Sequence, residues 1–326
     1  MKVFRGLPNS ASRAPCALTI GNFDGVHRGH QALLARVRRA ADELGIEAAV
    51  MTFEPHPRAF FAQLAGDPSK APSRLANLRD NLGSLKQAGV DRMIVEHFNA
   101  HFAALSPQQF IKHILVDGLH VRWLMVGDDF RFGAKRAGDI DTLRAAGAEY
   151  GFEVETLDTV TEQGVRISSS AIRVALAQGD FQLAENLLGH PYAISGHVVH
   201  GAKLGRTLGF PTLNLRIAHQ RPALTGIFVV RIHGLAEQPL QGVASLGHRP
   251  TVDDSQRYLL ETHVFDYQGH AYGKIVRIEF LHKLRDEQKY PDLSSLTAAI
   301  NTDAEQARAW FAAPERLATR SATDRI

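Results

Sequence analysis

Two histidines, His27 and His30, lie three residues apart in the stretch Thr19-Ile20-Gly21-Asn22-Phe23-Asp24-Gly25-Val26-His27-Arg28-Gly29-His30. At that spacing they are neighbours on one side of a first helical turn, and both imidazoles can donate to phosphoryl oxygens. Gly29 between them lets a ligand approach the backbone. The chemistry this suits is attack on the α-phosphate of a nucleoside triphosphate with pyrophosphate leaving. Charge then builds on phosphoryl oxygens, so positioned donors and a cation are needed more than a covalent nucleophile. The plainer alternative is a pair of histidines that cap or pack at a helix start.

Two further clusters carry candidate groups. Ser168-Ser169-Ser170-Ala171-Ile172-Arg173 offers three hydroxyls at a helix N-terminus, with Arg173 one turn beyond Ser169. It reads as a second phosphate clamp on the β and γ positions or as a serine cap beside a solvated arginine. Gly201, Gly205 and Gly209 recur at spacing four around Lys203 and Arg206. A helix–helix packing face is one reading; flanking strands and the Phe210-Pro211-Thr212 break favour a glycine-rich loop for a nucleotide polyphosphate. Just after it, Thr212 and Asn214 offer oxygen ligands for Mg²⁺, a hard cation.

These groups must be held by the elements around them. Residues 17–20 are an apolar run that reads as a buried strand, and residues 31–37 open a helix with Leu33, Leu34, Val37 and Leu44 on its apolar side. Strand, glycine turn and helix together aim backbone N–H groups and a helix terminus at a phosphate. From Cys16 to about Asp158 strand-like runs (46–53, 91–95, 121–126, 152–157) alternate with helical patterns (79–88, 107–116, 140–150). Ser106-Pro107 reads as a cap with proline at the first helical position. Alternation of this kind predicts a mostly parallel sheet covered by helices. The polar clusters Gly21 to His30, Glu54 to Pro57 and Gly127 to Gly133 fall at strand ends, where such sheets bind ligands. After a helix over 181–188 the texture changes to short strands (194–199, 226–232, 241–246, 258–265, 274–280) with turn signals, which predicts an antiparallel barrel or sandwich. Helical spacing returns over 293–311. The domain boundary is read at Leu188/Gly189, giving domains 1–188 and 189–326.

Composition bounds the function. The 326 residues suit two domains, and 44% hydrophobic with 22% charged residues is ordinary for a globular chain. The net charge of +3 comes from scattered basic residues with no dense stripe, so anionic small molecules rather than nucleic acid are the expected partners. One cysteine, Cys16, excludes an internal disulfide and a multi-thiolate metal site; in an apolar strand it reads as a packed thiol. The N-terminal stretch lacks a signal-peptide pattern and no segment is apolar enough to span a bilayer. A cytoplasmic location with no membrane partner is expected.

In order along the chain stand Gly-Asn-Phe-Asp-Gly-Val-His-x-Gly-His, Phe-x-Pro-His-Pro, Gly-Asp-Asp-Phe-Arg-Phe-Gly and Ser-Ser-Ser-x-Ile-Arg. Later come His200-Gly201-Ala202-Lys203-Leu204-Gly205-Arg206-Thr207-Leu208-Gly209-Phe210-Pro211-Thr212-Leu213-Asn214, Gly247-His248-Arg249-Pro250-Thr251 and Leu260-Glu261-Thr262-His263-Val264-Phe265-Asp266. This ordered set resembles the bacterial bifunctional riboflavin kinase/FMN adenylyltransferases (FAD synthetases) over about residues 15 to 312. The resemblance implies an α/β nucleotidyltransferase domain with a Rossmann-like parallel sheet, then a six-stranded, mainly antiparallel barrel with a C-terminal helix. It implies that His27, His30, Asp129, Ser168, Ser169 and Arg173 contact ATP or the transferring phosphate, with Gly21, Asn22, Asp24 and Gly29 in the same signature. Phe53, His56, Pro57 and Arg249 are implied at flavin sites. Phe130 and Phe132 are candidates to stack on a flavin ring, with core packing as the alternative. Gly201, Lys203, Gly205, Arg206 and Gly209 are implied for the kinase nucleotide.

An alcohol being phosphorylated must lose its proton, and a strand carboxylate can take it. Glu261 is the candidate, because the family's glutamate occupies the matching segment; a solvent-facing carboxylate is the alternative. The chain departs from the family pattern at Ser170, where Thr is usual, at Leu213, where Ala is usual, and at Ser245, where Asn is usual. None of the three removes a required group. The expected function is phosphorylation of riboflavin to FMN by the second domain and adenylylation of FMN to FAD by the first. ATP is co-substrate, Mg²⁺ serves both sites, ADP and pyrophosphate leave, and flavin is substrate and product. The rivals are a transferase for another acceptor, such as a pantetheine or nicotinate nucleotide, and a flavin-binding protein whose reactive groups have decayed.

Overall fold

A computed structural model describes residues 1–158, 160–162, 164–201, 208–217, 221–248 and 258–313. The chain divides into two compact units: Met1–Pro72 with Asn81–Ser169, and Ser73–Asp80 with Ser170–Ile326. Lys203, Gly205, Arg206 and Arg249 lie outside the described residues.

The first unit is built on six strands, β1 (Lys2–Arg5), β2 (Cys16–Ile20), β3 (Glu47–Glu54), β4 (Arg92–His97), β5 (Val121–Gly127) and β6 (Glu153–Leu157). Their order is β1-β4-β3-β2-β5-β6 and every pairing is parallel. All five residues of β2 are buried, as the middle strand of a sheet covered on both faces must be. The chain runs outward in one direction through β3 and β4 and in the other through β5 and β6, so the topological switch lies at β2 and β5.

Helix α1 (Arg28–Leu44) buries Leu33, Leu34, Val37, Ala40 and Ala41, an i, i+1, i+4, i+7, i+8 stripe. Leu44, expected on that stripe, is instead exposed: Gly45 at φ 66° ends the helix there and turns the chain towards β3. Next come α2 (Pro57–Leu64), α3 (Leu78–Gln87) and the short α4 (Ala100–Ala103). Ser106 and Gln109 form a reciprocal capping box on α5 (Pro107–Gln109). That helix continues as a wider π-helical winding over Phe110–Val116, so the predicted cap and length hold while the winding differs. Helix α6 (Ile140–Tyr150) and the antiparallel pair β7 (Thr161–Glu162) and β8 (Val165–Arg166) complete the unit. The Cys16 thiol donates to the Leu119 carbonyl at 3.3 Å, and burial pushes its pKa up to about 11, so it is a packed thiol.

Helix α7 (Ser169–Ala177) and helix α8 (Phe181–Leu188) precede the barrel strands. These are β9 (Ala193–Val199), β10 (Thr212–Arg216), β11 (Gly226–His233), β12 (Leu240–His248), β13 (Tyr258–Val264) and β14 (Ile275–Arg285). They close as β10-β13-β12-β11-β14-β9, which settles barrel against sandwich. Five of the six match strand-like runs in the sequence. The sixth, β10, carries the Thr212 and Asn214 motif and does not alternate clearly. Helix α9 (Leu293–Ala312), capped by Asp292 through the Ser295 N–H, packs Ala304, Ala307 and Phe311 on Ile227, Val229 and Val243.

Candidate active sites

At the end of β2 the Gly21 N–H still reaches the Met51 carbonyl at 3.0 Å, and then the chain leaves the sheet. Three of the next residues are left-handed: Phe23 at φ 49°, Gly25 at φ 87° and Val26 at φ 40°. For phenylalanine, and more so for β-branched valine, that conformation is costly and persists only where the surroundings impose it. The loop delivers His27 to the N-cap of α1, where its Nδ1 accepts from the His30 N–H at 3.3 Å. The two imidazoles stack 3.7 Å apart at 13°, and the Phe23 ring lies 4.9 Å from His30. A Cβ at Gly29 would come within 3.3 Å of the His27 ring, so the glycine makes room for the histidine. Capping and function are therefore not rivals here: the cap fixes the ring.

Burial, and secondly the neighbouring His27, hold the His30 pKa well below the usual imidazole value. His30 is therefore a neutral ring near pH 7, able to donate one N–H. Its Nδ1 is buried and makes no hydrogen bond among the described residues.

The other polar clusters follow β3 and β5, the two strands flanking β2. His56 is buried and caps α2, its Nδ1 accepting from Arg58 N–H at 3.1 Å with Pro57 in the first turn. Phe53 is half-buried with Phe98 and Phe102 rings 5.7 Å away. Phe132 belongs to the core at 6% exposure. Half-buried Phe130 stacks on it at 5.8 Å and 17°. Asp129 is exposed and accepts from Arg166 Nη2 at 3.2 Å. From the start of α7, Ser169 Oγ donates to the Asp24 carbonyl at 3.2 Å, so the glycine loop and the serine run meet. Ser168 stands beside it, half-buried. Arg173 falls in the second unit, where its Nε donates to the Ser73 carbonyl at 2.5 Å.

Residues not singled out by sequence reasoning complete this site. Thr52 Oγ1 donates to the Asn22 carbonyl at 3.2 Å, Gln31 Nε2 to the Val26 carbonyl at 2.9 Å, and Asn81 Oδ1 accepts from the Gly25 N–H at 3.2 Å. Asn81 had one legible signal. It lies with Leu78, Leu82 and Leu85 on the apolar stripe of α3, and a polar residue there is buried for a reason.

On the barrel, strand register does the assembling. Glu261 of β13 faces Asn214 of β10 on one side and Ser245 of β12 on the other, and Thr212 faces His263. Thr212, Ser245, Glu261 and His263 line a cavity of about 480 Å³ whose apolar wall includes Phe210, Ile227, Val243 and Leu296. Half-buried Glu261 thus lines this cavity. Asn214 is 5% exposed; its Nδ2 donates to the Thr212 carbonyl at 3.3 Å while its Oδ1 is buried without a hydrogen bond among the described residues. An orphaned amide oxygen beside a threonine suits a hard divalent cation, so the residues fit Mg²⁺.

A Cβ at Gly201 would sit 2.5 Å from the Asn214 amide, so this glycine gives the asparagine its space. Gly209, at φ 85°, turns the chain towards β10. Glu287 was also missed. Its carboxylate fills the space a Cβ at Gly247 would need, 1.8 Å away, and it lines the same cavity. The cavity's Arg285 is fixed by a two-pronged pair with Asp303 at 2.8 and 2.6 Å.

A parallel sheet with a glycine loop at its switch point, followed by a closed barrel with a carboxylate and a threonine hydroxyl on its cavity wall, is the architecture of a two-domain protein of phosphate chemistry. The family model for FAD synthetase matches residues 9–171, and that for riboflavin kinase matches residues 188–311. The chain is 48% identical over 314 residues to the bifunctional riboflavin kinase/FMN adenylyltransferase of Escherichia coli K12, covering 95% of this chain and 98% of the relative. The Haemophilus influenzae protein of the same name is 47% identical, covering 95% and 99%. A crystal structure described as a macrolide-efflux protein from Streptococcus pneumoniae has the same fold, with a TM-score of 0.72 and 26% identity over 94% of this chain and 98% of that one. Among the described residues of the present chain no helix is long and apolar enough to cross a membrane. The chain belongs to the bifunctional riboflavin kinase/FMN adenylyltransferase family.

Proposed function

We propose that this chain makes FAD in two steps, phosphorylating riboflavin to FMN on the barrel and adenylylating FMN at the parallel sheet, with residues 1–188 and 189–326 as the functional domains. The observation that carries the reading is Glu261 in register with Asn214 on a cavity wall, in a chain that matches both family models.

In the kinase step the riboflavin hydroxyl oxygen bonds to the γ-phosphorus of ATP, the bond to the β-phosphate oxygen breaks, and ADP leaves. Glu261 accepts the hydroxyl proton. Thr212 and Asn214 hold Mg²⁺, which supplies charge neutralisation at the phosphates. The apolar wall takes the flavin ring, with Arg249 at its edge, and Gly201, Lys203, Gly205, Arg206 and Gly209 receive the nucleotide.

In the second step an FMN phosphate oxygen attacks the α-phosphorus of ATP and pyrophosphate leaves, with no bond to the protein. His27 and His30 donate to the phosphoryl oxygens, and Gly21, Asn22, Asp24 and Gly29 shape the turn that receives them. Asp129, Ser168, Ser169 and Arg173 hold the remaining parts of ATP. Phe53, His56, Pro57 and Phe130 receive the flavin, with Phe132 as the buried support behind Phe130. The reaction needs cellular ATP, which puts it in the cytoplasm.

Products separated after incubation with riboflavin, ATP and Mg²⁺ test the reading. FMN followed by FAD is the expected result. FMN alone would mean another acceptor at the first site, and bound flavin without product would mean a binding protein.

A further inference from the structure

We propose that Asn81 is a positioning residue for FMN adenylylation, holding the glycine loop in its ATP-receiving shape through the Gly25 N–H; this rests on the adenylyltransferase reading above. The loop from Asn22 to Val26 has three left-handed residues in five positions, two of them not glycine. Gly25 suits that path but Phe23 and Val26 do not, so other elements must impose it there. Four side chains do so, each from a different element. Thr52 of β3 donates to the carbonyl of Asn22, Ser169 of α7 to that of Asp24, and Gln31 of α1 to that of Val26. Asn81 of α3 is the only one of the four that accepts, taking the Gly25 N–H at 3.2 Å.

That reversed polarity matters. The Gly25 N–H is taken up by a side chain from another element, while the Val26 N–H turns back to the Phe23 carbonyl at 3.4 Å within the loop. Asn81 therefore fixes the backbone one residue before Val26, whose successor His27 caps α1. The asparagine is 5% exposed on the apolar stripe of α3, where packing alone would be served better by leucine.

The test uses the full chain with Asn81→Leu and Asn81→Ala, assayed for FAD from FMN and for FMN from riboflavin. Both variants remove the acceptor. Leucine keeps the volume, and alanine serves if leucine overpacks. The expected result is a KM for ATP about tenfold higher in adenylylation, as for loss of a buried hydrogen bond worth about 1.4 kcal/mol, with riboflavin phosphorylation unchanged. A double change with Thr52→Val should cost less than the sum of the two single changes, because both act on one loop. A merely structural role would lower the amount of active enzyme and leave KM alone; that outcome, or an unchanged KM in either folded variant, overturns the proposal. No FAD from the unaltered chain overturns the adenylyltransferase reading itself.

Discussion

The two candidate sites are built by opposite means. On the barrel, register suffices: Glu261, Asn214 and Ser245 come into line because β10, β13 and β12 pair there. At the parallel sheet the groups ride on a loop in costly backbone conformations, held by side chains from four separate elements. A rigid ladder needs few supporting residues, whereas a strained loop needs many. Substitutions on the barrel should therefore act mostly where they touch chemistry. At the loop, distant substitutions should matter nearly as much as local ones.

The sharpest break in that comparison is Glu261→Gln. It keeps the shape and the ladder but removes the group that accepts the proton, so FMN formation should fall by a factor of about 10² to 10⁴. FAD formation from supplied FMN should continue. His30→Ala should do the reverse, cutting adenylylation while phosphorylation persists, since the ring stacked on His27 is lost while the backbone N–H that His27 caps remains. Loss of both activities in either folded variant would show that the sites are not separate.

A smaller effect is expected at Gly201. Alanine there forces a Cβ to 2.5 Å from the Asn214 amide, so the amide must move. The expected outcome is a rise of about tenfold in the Mg²⁺ concentration that half-saturates the kinase, as for a shift of about 1.4 kcal/mol. Adenylylation at saturating Mg²⁺ should hold. A normal Mg²⁺ dependence would remove Asn214 from the cation's ligands.

The same contrast explains what could be read from the sequence. The βα alternation and the placement of Gly21 to His30, Glu54 to Pro57 and Gly127 to Gly133 at adjacent strand ends were legible, because hydrophobic period and turn residues are local signals. Glu261 needed only the family motif on a strand-like run, whereas its place opposite Asn214 came from the register of β10 and β13. Thr52, Asn81 and Gln31 were not legible as loop supports, since which carbonyl or N–H a side chain reaches depends on tertiary placement. The exposed Leu44 and the buried Phe132 share one lesson: residue type gives the tendency, and the end of an element decides the outcome. β10 was missed because its five residues are read first as a ligand motif.

The smallest effect concerns pH and isolates the buried His30. Its folded pKa is held well below the usual value by burial first and His27 second, while the unfolded chain titrates near about 6.5. Above that pH the ring is neutral in both states and contributes no pH dependence. As pH falls below it, the unfolded chain takes up a proton that the folded ring refuses, so stability drops. The slope approaches about 1.4 kcal/mol per pH unit until the folded pKa is reached. Glu96, whose carboxyl burial pushes up, works with the opposite sign and nearer the carboxylate range. Denaturant unfolding of the native chain and His30→Gln between pH 7 and pH 5 separates the two. The variant should lose less stability than the native chain across that window. Equal slopes would mean that His30 is solvated and charged at pH 5, and its role would then be that of a cationic phosphate contact rather than a neutral donor.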